Sequence, residues 1–458
     1  MNDITAFFAF LKYCLGYKEN MSRVIAGMNW HELYSFASKQ ALLGLCFEGI
    51  ERLGEEYPEE LKRNPIGREL LMTWMGKAQQ IRRQNMKVNA VASKLFSMLR
   101  EDGMRCCVLK GQGNALMYPN PYYRTPGDID VWINASRERI MEYASKKFEL
   151  GDDIRLQHLE TTLDDVPVEL HFFPCSMNNP IYHARLQKWF RRNADQQCSH
   201  IVGLPDEAGD IAIPMTAFNV VYQLTHLYHH FFDEGIGMRQ IIDYFLVVND
   251  FSKNVFLNND LSNHPVNFSN HPVPLSKEGS TFSLSPSSSG SGDVTAPSRC
   301  SEPLRSKDGG ASKPSPNCAG WDRLAIEGDN SAGSTTVVTS SASTALDVVQ
   351  RELKYLGLWK FSGAVMYVLH EALGLSEEKM IAPMDEKRGK LLLAEILNGG
   401  NFGQHFTKYG HFTQQGMAKK YFLKIWRNMH FVRYFPAEAL SEPIFRTWHF
   451  FWRLKHRR

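Results

Sequence analysis

The sequence predicts an α+β protein, a small mixed β-sheet core with N-terminal and C-terminal helical regions. Three observations predict it. Apolar residues recur every three or four positions through the first hundred residues. Short apolar runs stopped by glycine or turn residues replace that period between residues 103 and 213. The helical period returns at Pro214, and again near residue 346 after a Ser/Gly/Pro-rich stretch. With 458 residues, 43% of them hydrophobic and 12% aromatic, the chain suffices for two or three packed domains.

Residues 1–102 read as the N-terminal helical region. In NWHELYSFASKQALLGLCFEGIERL, Leu33, Phe36, Leu43 and Phe47 keep helical spacing, Asn29 suits an N-cap, and GEEYPEE is the polar break that follows. MGKAQQIRRQNMKVNAVASKLFSMLRE is a long amphipathic helix ending near Asp102-Gly103. Residues 103–213 carry the sheet. RCCVLKG is a strand, QGNALMYPNPYYRTPG a short helix and Pro-rich turn, DIDVWIN a second strand and SRERIMEYASKKFEL a helix. IRLQHLETTL and VPVELHFF form a hairpin about Asp164-Asp165. Residues 214–251, with MTAFNVVYQLTHLYHHF and MRQIIDYFLVVND, form a helical subdomain. Residues 252–345 have no periodicity and too little apolar content to offset an ordering cost of roughly 1–2 kcal/mol per residue. They are expected to be a disordered insert that interrupts a helical domain. Residues 346–458 form the C-terminal helical region.

The net charge of +3 is unevenly spread. Residues 419–458 hold ten Lys or Arg against two Glu, a local +8, so the remainder is −5 by difference. A bulk charge attraction to polyanions is therefore confined to the tail. The eight cysteines form no CxxC pair, which excludes a zinc-ribbon pattern and a secreted disulfide framework. Adjacent Cys106 and Cys107 should face opposite sides of a strand. The N-terminus lacks a basic segment before its apolar residues, and no run nears the ~20 apolar residues of a membrane span. A cytoplasmic location is expected.

The stretch RTPGDIDVWI places two carboxylates inside an apolar strand. Side chains alternate along a strand, so Asp128, Asp130 and Trp132 share one face while Ile129, Val131 and Ile133 share the core face. Two anions together on a buried strand need a cation, and Mg²⁺ takes hard oxygen ligands. In VPVELHFF, Glu169 and His171 share a face. If the two strands pair, Glu169 completes a three-carboxylate cage that can hold two metals ~3.5–4 Å apart. It could also accept the proton of an attacking hydroxyl. Gly127 allows close backbone approach beside the pair.

The block from VLKGQGNALMYPNPYYRTPGDIDVWI through VELHFF resembles the DNA polymerase β-like nucleotidyltransferase superfamily. More closely it resembles a bacterial family of uncharacterised nucleotidyltransferases. There LKG, a small-residue helix, a Tyr-Pro turn, Arg and D-x-D precede an acid-x-His strand and a helix with His and Arg…Asp. The resemblance runs from about residue 20 to 250 and resumes after the insert. It implies Mg²⁺-dependent transfer (Mn²⁺ being the alternative ion) of a nucleoside monophosphate from an NTP such as ATP, with pyrophosphate released. By matched position, Asp128 and Asp130 would be the metal ligands and Glu169 the third acid. The superfamily's Gly-Ser signature is replaced here by Lys110-Gly111-Gln112-Gly113. Lys110 would bring charge, and Gly111 and Gly113 would expose N–H groups at a helix start. Arg124 would either clamp a phosphate or orient Asp128 or Asp130 as an ion pair. The missing Ser motivates a second reading, a catalytically degenerate module that binds nucleotide or a partner. The acceptor, whether protein, sugar phosphate, small molecule or RNA, is not encoded in any motif.

In LTHLYHHFFDEGIGMRQIIDYF, His226, His229 and His230 share a helix face with Asp233 in reach, but HExxH is missing and packing is the favoured role. Arg239 and Asp243, at i and i+4, suit a helix ion pair. His171, His226 and Arg239 are the candidate cleft residues outside the acid trio. The tail alternates aromatic and basic residues and admits three readings: terminal helices with a basic outer face, a helix on an anionic membrane surface, or a polyanion-binding segment.

Overall fold

The computed structural model describes residues 3–150, 155–260, 341–404 and 417–456. Most of the predicted insert, residues 261–340, lies outside them. At the insert's edges the flanking helices continue to Asp260 and resume at Ser341.

The N-terminal region is helical, as its apolar period requires. Asn29 caps helix Trp30–Lys39 by accepting from the backbone N–H groups of His31 and Glu32 at 3.2 Å each. A 34-residue helix, Arg68–Glu101, then delivers the chain to the sheet. Strands β1 (Cys106–Leu109), β2 (Ile129–Ile133), β3 (His158–Leu163) and β4 (Val166–His171) form one mixed sheet in the order β1-β2-β4-β3. Only β2 and β4 run parallel; β1 pairs antiparallel with β2, and β3 with β4. The β3–β4 turn is tight because Asp164 and Asp165 both take positive φ, 49° and 59°, which matches the twist of the flanking strands. A small second hairpin, β5 (Ile201–Gly203) with β6 (Asp210–Ala212), is an addition that the sequence pattern did not predict.

Strand alternation divides the core in two. Cys106, Val108, Ile129, Val131, Ile133, Val168 and Leu170 pack against Val88, Leu95 and Leu99 of the long helix and Ile140 of helix Arg137–Lys147. The opposite face carries Cys107, Leu109 and Trp132 into the larger helical core. There Trp132 lies nearly parallel to Phe218, 6.1 Å away, and Phe218 stacks on Trp189 at 4.5 Å. Asp130 and Glu169 belong to this second face. Helix Thr216–Asp233, which helps cover it, also reaches Asp130, since its Gln223, His226 and Leu227 line one pocket with that acid. At the C-terminus lie helices Met417–Met429 and Pro436–His456, in which Lys424 and Arg446 point inward to Asp233.

Candidate active site

Register brings the acids together. Asp130 of β2 stands opposite Glu169 of the parallel strand β4, and Trp132 opposite His171. The imidazole of His171 ties both acids: its Nε2 lies 2.9 Å from Asp130 Oδ1 and 3.1 Å from Glu169 Oε2. On the edge strand β3, His158 Nδ1 is 3.2 Å from the same Glu169 oxygen. Among the described residues, His158, Glu169 and His171 form a group whose ligand atoms all lie within 4.8 Å of one another. Asp128 directly precedes β2, on the open side of the site, and is exposed where Asp130 is buried.

Lys110 sits on the other side of Asp130, with Nζ 3.1 Å from Oδ2 and 2.7 Å from His226 Nε2. Its backbone has φ 51°, a left-handed conformation that costs a non-glycine residue about 1–3 kcal/mol. The contact with Asp130 holds the ammonium at the end of this turn, where it enters the five-residue helix Gly111–Ala115. Gly111 also has positive φ and lines the pocket beside Asp128. Gly113 is elsewhere: a Cβ there would meet Ile213 Cγ2 at 3.0 Å, so this glycine serves close packing rather than the pocket.

Arg124 does not pair with Asp128 or Asp130. It makes a bidentate contact with Asp243, Nε to Oδ1 at 2.8 Å and Nη2 to Oδ2 at 2.7 Å. Tyr118 donates its hydroxyl to Asp243 Oδ1 at 2.7 Å. Asp243 is thereby taken from Arg239, and the expected i, i+4 pair does not form. The sequence placed both partners on one helix, but the loop before β2 supplies a guanidinium with better fork geometry. Arg239 is left facing the pocket. It is buried, donates from Nη1 to the Thr125 carbonyl at 3.0 Å, and leaves Nε without a partner.

Phe402 closes this side. Arg239 lies over its ring at 5.5 Å, and His230 meets its edge at 5.4 Å. Phe402 takes φ 51° in the turn Asn401–Gly403, which seats against Gly237. Lys110, Gly111, Gly127, Asp128, Asp130, His226, Arg239 and Phe402 thus share one pocket. The sequence missed Phe402 and His158. Asn-Phe-Gly signals a turn without saying where it docks, and a histidine opening a strand carries no local signature. His226 contacts His230 at 3.0 Å, while Asp233 is engaged by Lys424 and Arg446, so the helix histidines and Asp233 do not gather as ligands.

The electrostatics follow from crowding three carboxylates. The Asp130 charge, with partial loss of water, pushes Asp128 up to about 6 despite Lys110. Burial disfavours charge on Asp130, yet Lys110 and His171 outweigh it and hold that carboxyl below its usual range. Glu169 is likewise lowered, its burial overcome by the His171 hydrogen bond. Burial opposes an imidazolium at His171, but its bonds to Asp130 and Glu169 raise it to about 9. Burial, then the His171 charge, pushes His158 down to about 4. At neutral pH one charged imidazole therefore bridges two carboxylates beside a neutral one.

The model of a family described as an uncharacterised nucleotidyltransferase matches residues 26–262. No curated protein and no solved structure matches the chain. The matched residues include all three acids, Lys110, His171 and Arg239; Phe402 lies beyond them.

Proposed function

From the premise that the chain belongs to this nucleotidyltransferase family, we propose that it transfers a nucleoside monophosphate from an NTP to an acceptor and releases pyrophosphate. The observation that carries the reading is the pairing of Asp130 with Glu169 across parallel strands, with Asp128 at the mouth of a pocket lined by Lys110 and Arg239. The donor set fits a divalent metal such as Mg²⁺. Asp128, Asp130 and Glu169 are hard oxygen donors, and three negative charges against Lys110 and His171 leave one uncompensated. Asp128, Asp130 and Glu169 would hold the ion, which when bound supplies charge neutralisation at the phosphates.

The rest of the chemistry falls to the chain. An acceptor oxygen attacks the α-phosphorus, the bond from that phosphorus to the β-bridging oxygen breaks, and pyrophosphate leaves with the electron pair. The acceptor's proton passes to a carboxylate of the trio. Arg239, whose side chain lines the pocket, brings its guanidinium charge to the triphosphate, and Lys110 holds Asp130 in place. Arg124, consumed by Asp243, shapes the loop before Asp128 instead of binding phosphate. The loop order Lys110-Gly111, Arg124, Asp128-x-Asp130 and the acid-x-His strand support placing the family within the DNA polymerase β-like superfamily. A cytoplasmic site of action is part of the proposal; among the described residues no helix is long and apolar enough to cross a membrane.

Incubation with α-phosphate-labelled NTPs, Mg²⁺ and lysate tests it. Label should appear on one acceptor and pyrophosphate in solution. Asp128→Asn combined with Asp130→Asn should remove both, and unchanged pyrophosphate release by that double variant would sink the assignment. A specific observation favours a second reading: Lys110 and His171 already neutralise most of the charge on Asp130 and Glu169. A module that binds nucleotide without turnover would give heat on NTP titration and no pyrophosphate with any acceptor.

A further inference from the structure

In the last two described helices several charged side chains turn inward while large apolar ones stand exposed. In Met417–Met429, Lys424 Nζ reaches Asp233 at 2.9 Å and Arg427 Nε lies 3.7 Å from Glu395. In Pro436–His456, Arg446 contacts Asp233 at 2.8 Å and also Glu442. Glu438 accepts from the backbone N–H groups of Asn178 and Asn179 at 2.6 and 3.2 Å. Glu438 and Glu442 are each 1% exposed, and they are the only acids between residues 419 and 458. The outward surface of this segment therefore carries no carboxylate of its own.

Large apolar side chains occupy it instead. Leu440, Ile444, Trp448 and Phe451 are all exposed, Ile444 at 73% and Phe451 at 63%. At about 100° per residue the four positions fall within an arc of roughly 80°, one stripe along the helix. Phe450 borders the stripe, and Phe422 on the preceding helix is 67% exposed. Monomeric proteins rarely leave such a contiguous patch in water. Of ten basic residues from 419 to 458, Lys424, Arg427 and Arg446 turn inward, Arg433 is exposed, and the other six stand in the sequence before and after the apolar positions.

We propose that this face rests on an anionic lipid surface. An aromatic stripe with basic flanks and no exposed acid is the composition of a helix lying in the membrane interface. Among the described residues no helix is long and apolar enough to cross a membrane. A second copy of the chain fits less well, because an isologous contact would set the same basic flanks against each other. The placement is independent of the nucleotidyl-transfer reading.

Co-sedimentation of the full chain with phosphatidylglycerol vesicles tests the proposal, with phosphatidylcholine vesicles as the neutral arm. Wild type should bind the anionic vesicles, and 0.5 M salt should weaken binding. The triple variant Ile444→Ser, Trp448→Ser, Phe451→Ser should partition about tenfold less or weaker still. All three side chains are exposed, so an unchanged thermal melt should accompany the loss. Equal partitioning of wild type and triple variant, or no vesicle binding by wild type, overturns the proposal. So does a wild-type dimer in sedimentation velocity that the triple variant dissolves, which would assign the face to a second copy. Tight RNA binding unaffected by the triple variant, without vesicle binding, would assign the tail to a polyanion.

Discussion

Asp243 should be the most expensive single acid to remove, although it coordinates nothing in the proposed reaction. It lies between two guanidiniums, paired bidentately with Arg124 and near Arg239, and it accepts the Tyr118 hydroxyl. All three charged groups are buried. Replacing one member of a buried pair leaves the other uncompensated, at about 3–5 kcal/mol. Asp243→Asn would also set Arg124 and Arg239 against each other without the anion between them, so about 3 kcal/mol is the lower expectation. Tyr118→Phe, which removes one charged-acceptor hydrogen bond, should cost about 1.5 kcal/mol. Urea unfolding followed by circular dichroism measures each. In a double-mutant cycle, Arg124→Met with Asp243→Leu should lose about 2–3 kcal/mol less than the two singles summed, because no lone charge remains. A loss below about 1 kcal/mol for Asp243→Asn, or strict additivity in the cycle, would refute the clamp. Acid should act in the same direction. Burial favours the neutral acid, but Arg124 holds the Asp243 carboxyl below its usual 3.8. Its stabilisation is full above that value and disappears as pH falls through the lowered folded one.

Arg239→Ala should raise the NTP Michaelis constant roughly 10–100-fold, the loss of one charged hydrogen bond to phosphate, with a smaller effect on urea stability than Asp243→Asn. An unchanged Michaelis constant would remove Arg239 from the phosphate site. Gly237→Ala would place a Cβ 2.8 Å from the Asn401 Cα and 3.0 Å from its backbone nitrogen, so the Phe402 turn must shift. NTP affinity should fall at least several-fold while far-ultraviolet circular dichroism stays native, read by calorimetry. Glu438 gives a pH signature: burial pushes its carboxyl up to about 7, against the backbone N–H groups that favour its charge. Because the folded state holds that proton more tightly, stability should decline as pH rises from about 4.5 to about 7. Glu438→Gln should flatten that decline, and a variant with the wild-type slope would refute the cause.

Local pattern carried the elements, and alternation carried the pairing of faces. Asp130 and Glu169 could be assigned to one surface because strand period is two, and Trp132 and His171 followed by the same rule. Asn29 was legible because a cap is a local hydrogen bond. Partner choice was not legible. Asp243 has Arg239 four residues before it and Arg124 over a hundred residues away, and the distant one prevails because it arrives as a fork. The inward contacts of the tail were illegible for a related reason. Composition counts its basic residues but does not say that Asp233 and Glu395, far upstream in the chain, draw three of them inward.

The pocket draws on both sides of the predicted insert. Its anionic wall comes from β2 and its cationic wall from Lys110 and Arg239, all within residues 26–262. Phe402 joins that lining from beyond the insert, and its ring is placed by two features no local pattern joins. Gly237 has no side chain, so the Asn401 backbone can approach it; Phe402 accepts a left-handed backbone to turn its ring onto Arg239 and His230. A left-handed phenylalanine is held at a cost of about 1–3 kcal/mol, which contacts elsewhere must offset. The contacts available are those of helix Glu386–Gly399, whose Ile396 carbonyl accepts from the buried Gln40 side chain at 3.1 Å. Gln40 in turn accepts from the backbone N–H of Met238, the residue before Arg239, at 2.8 Å. One glutamine from the N-terminal helices therefore fixes the helix that carries Arg239 to the segment that carries Phe402. The helical regions on either side of the sheet are thus part of the pocket's construction.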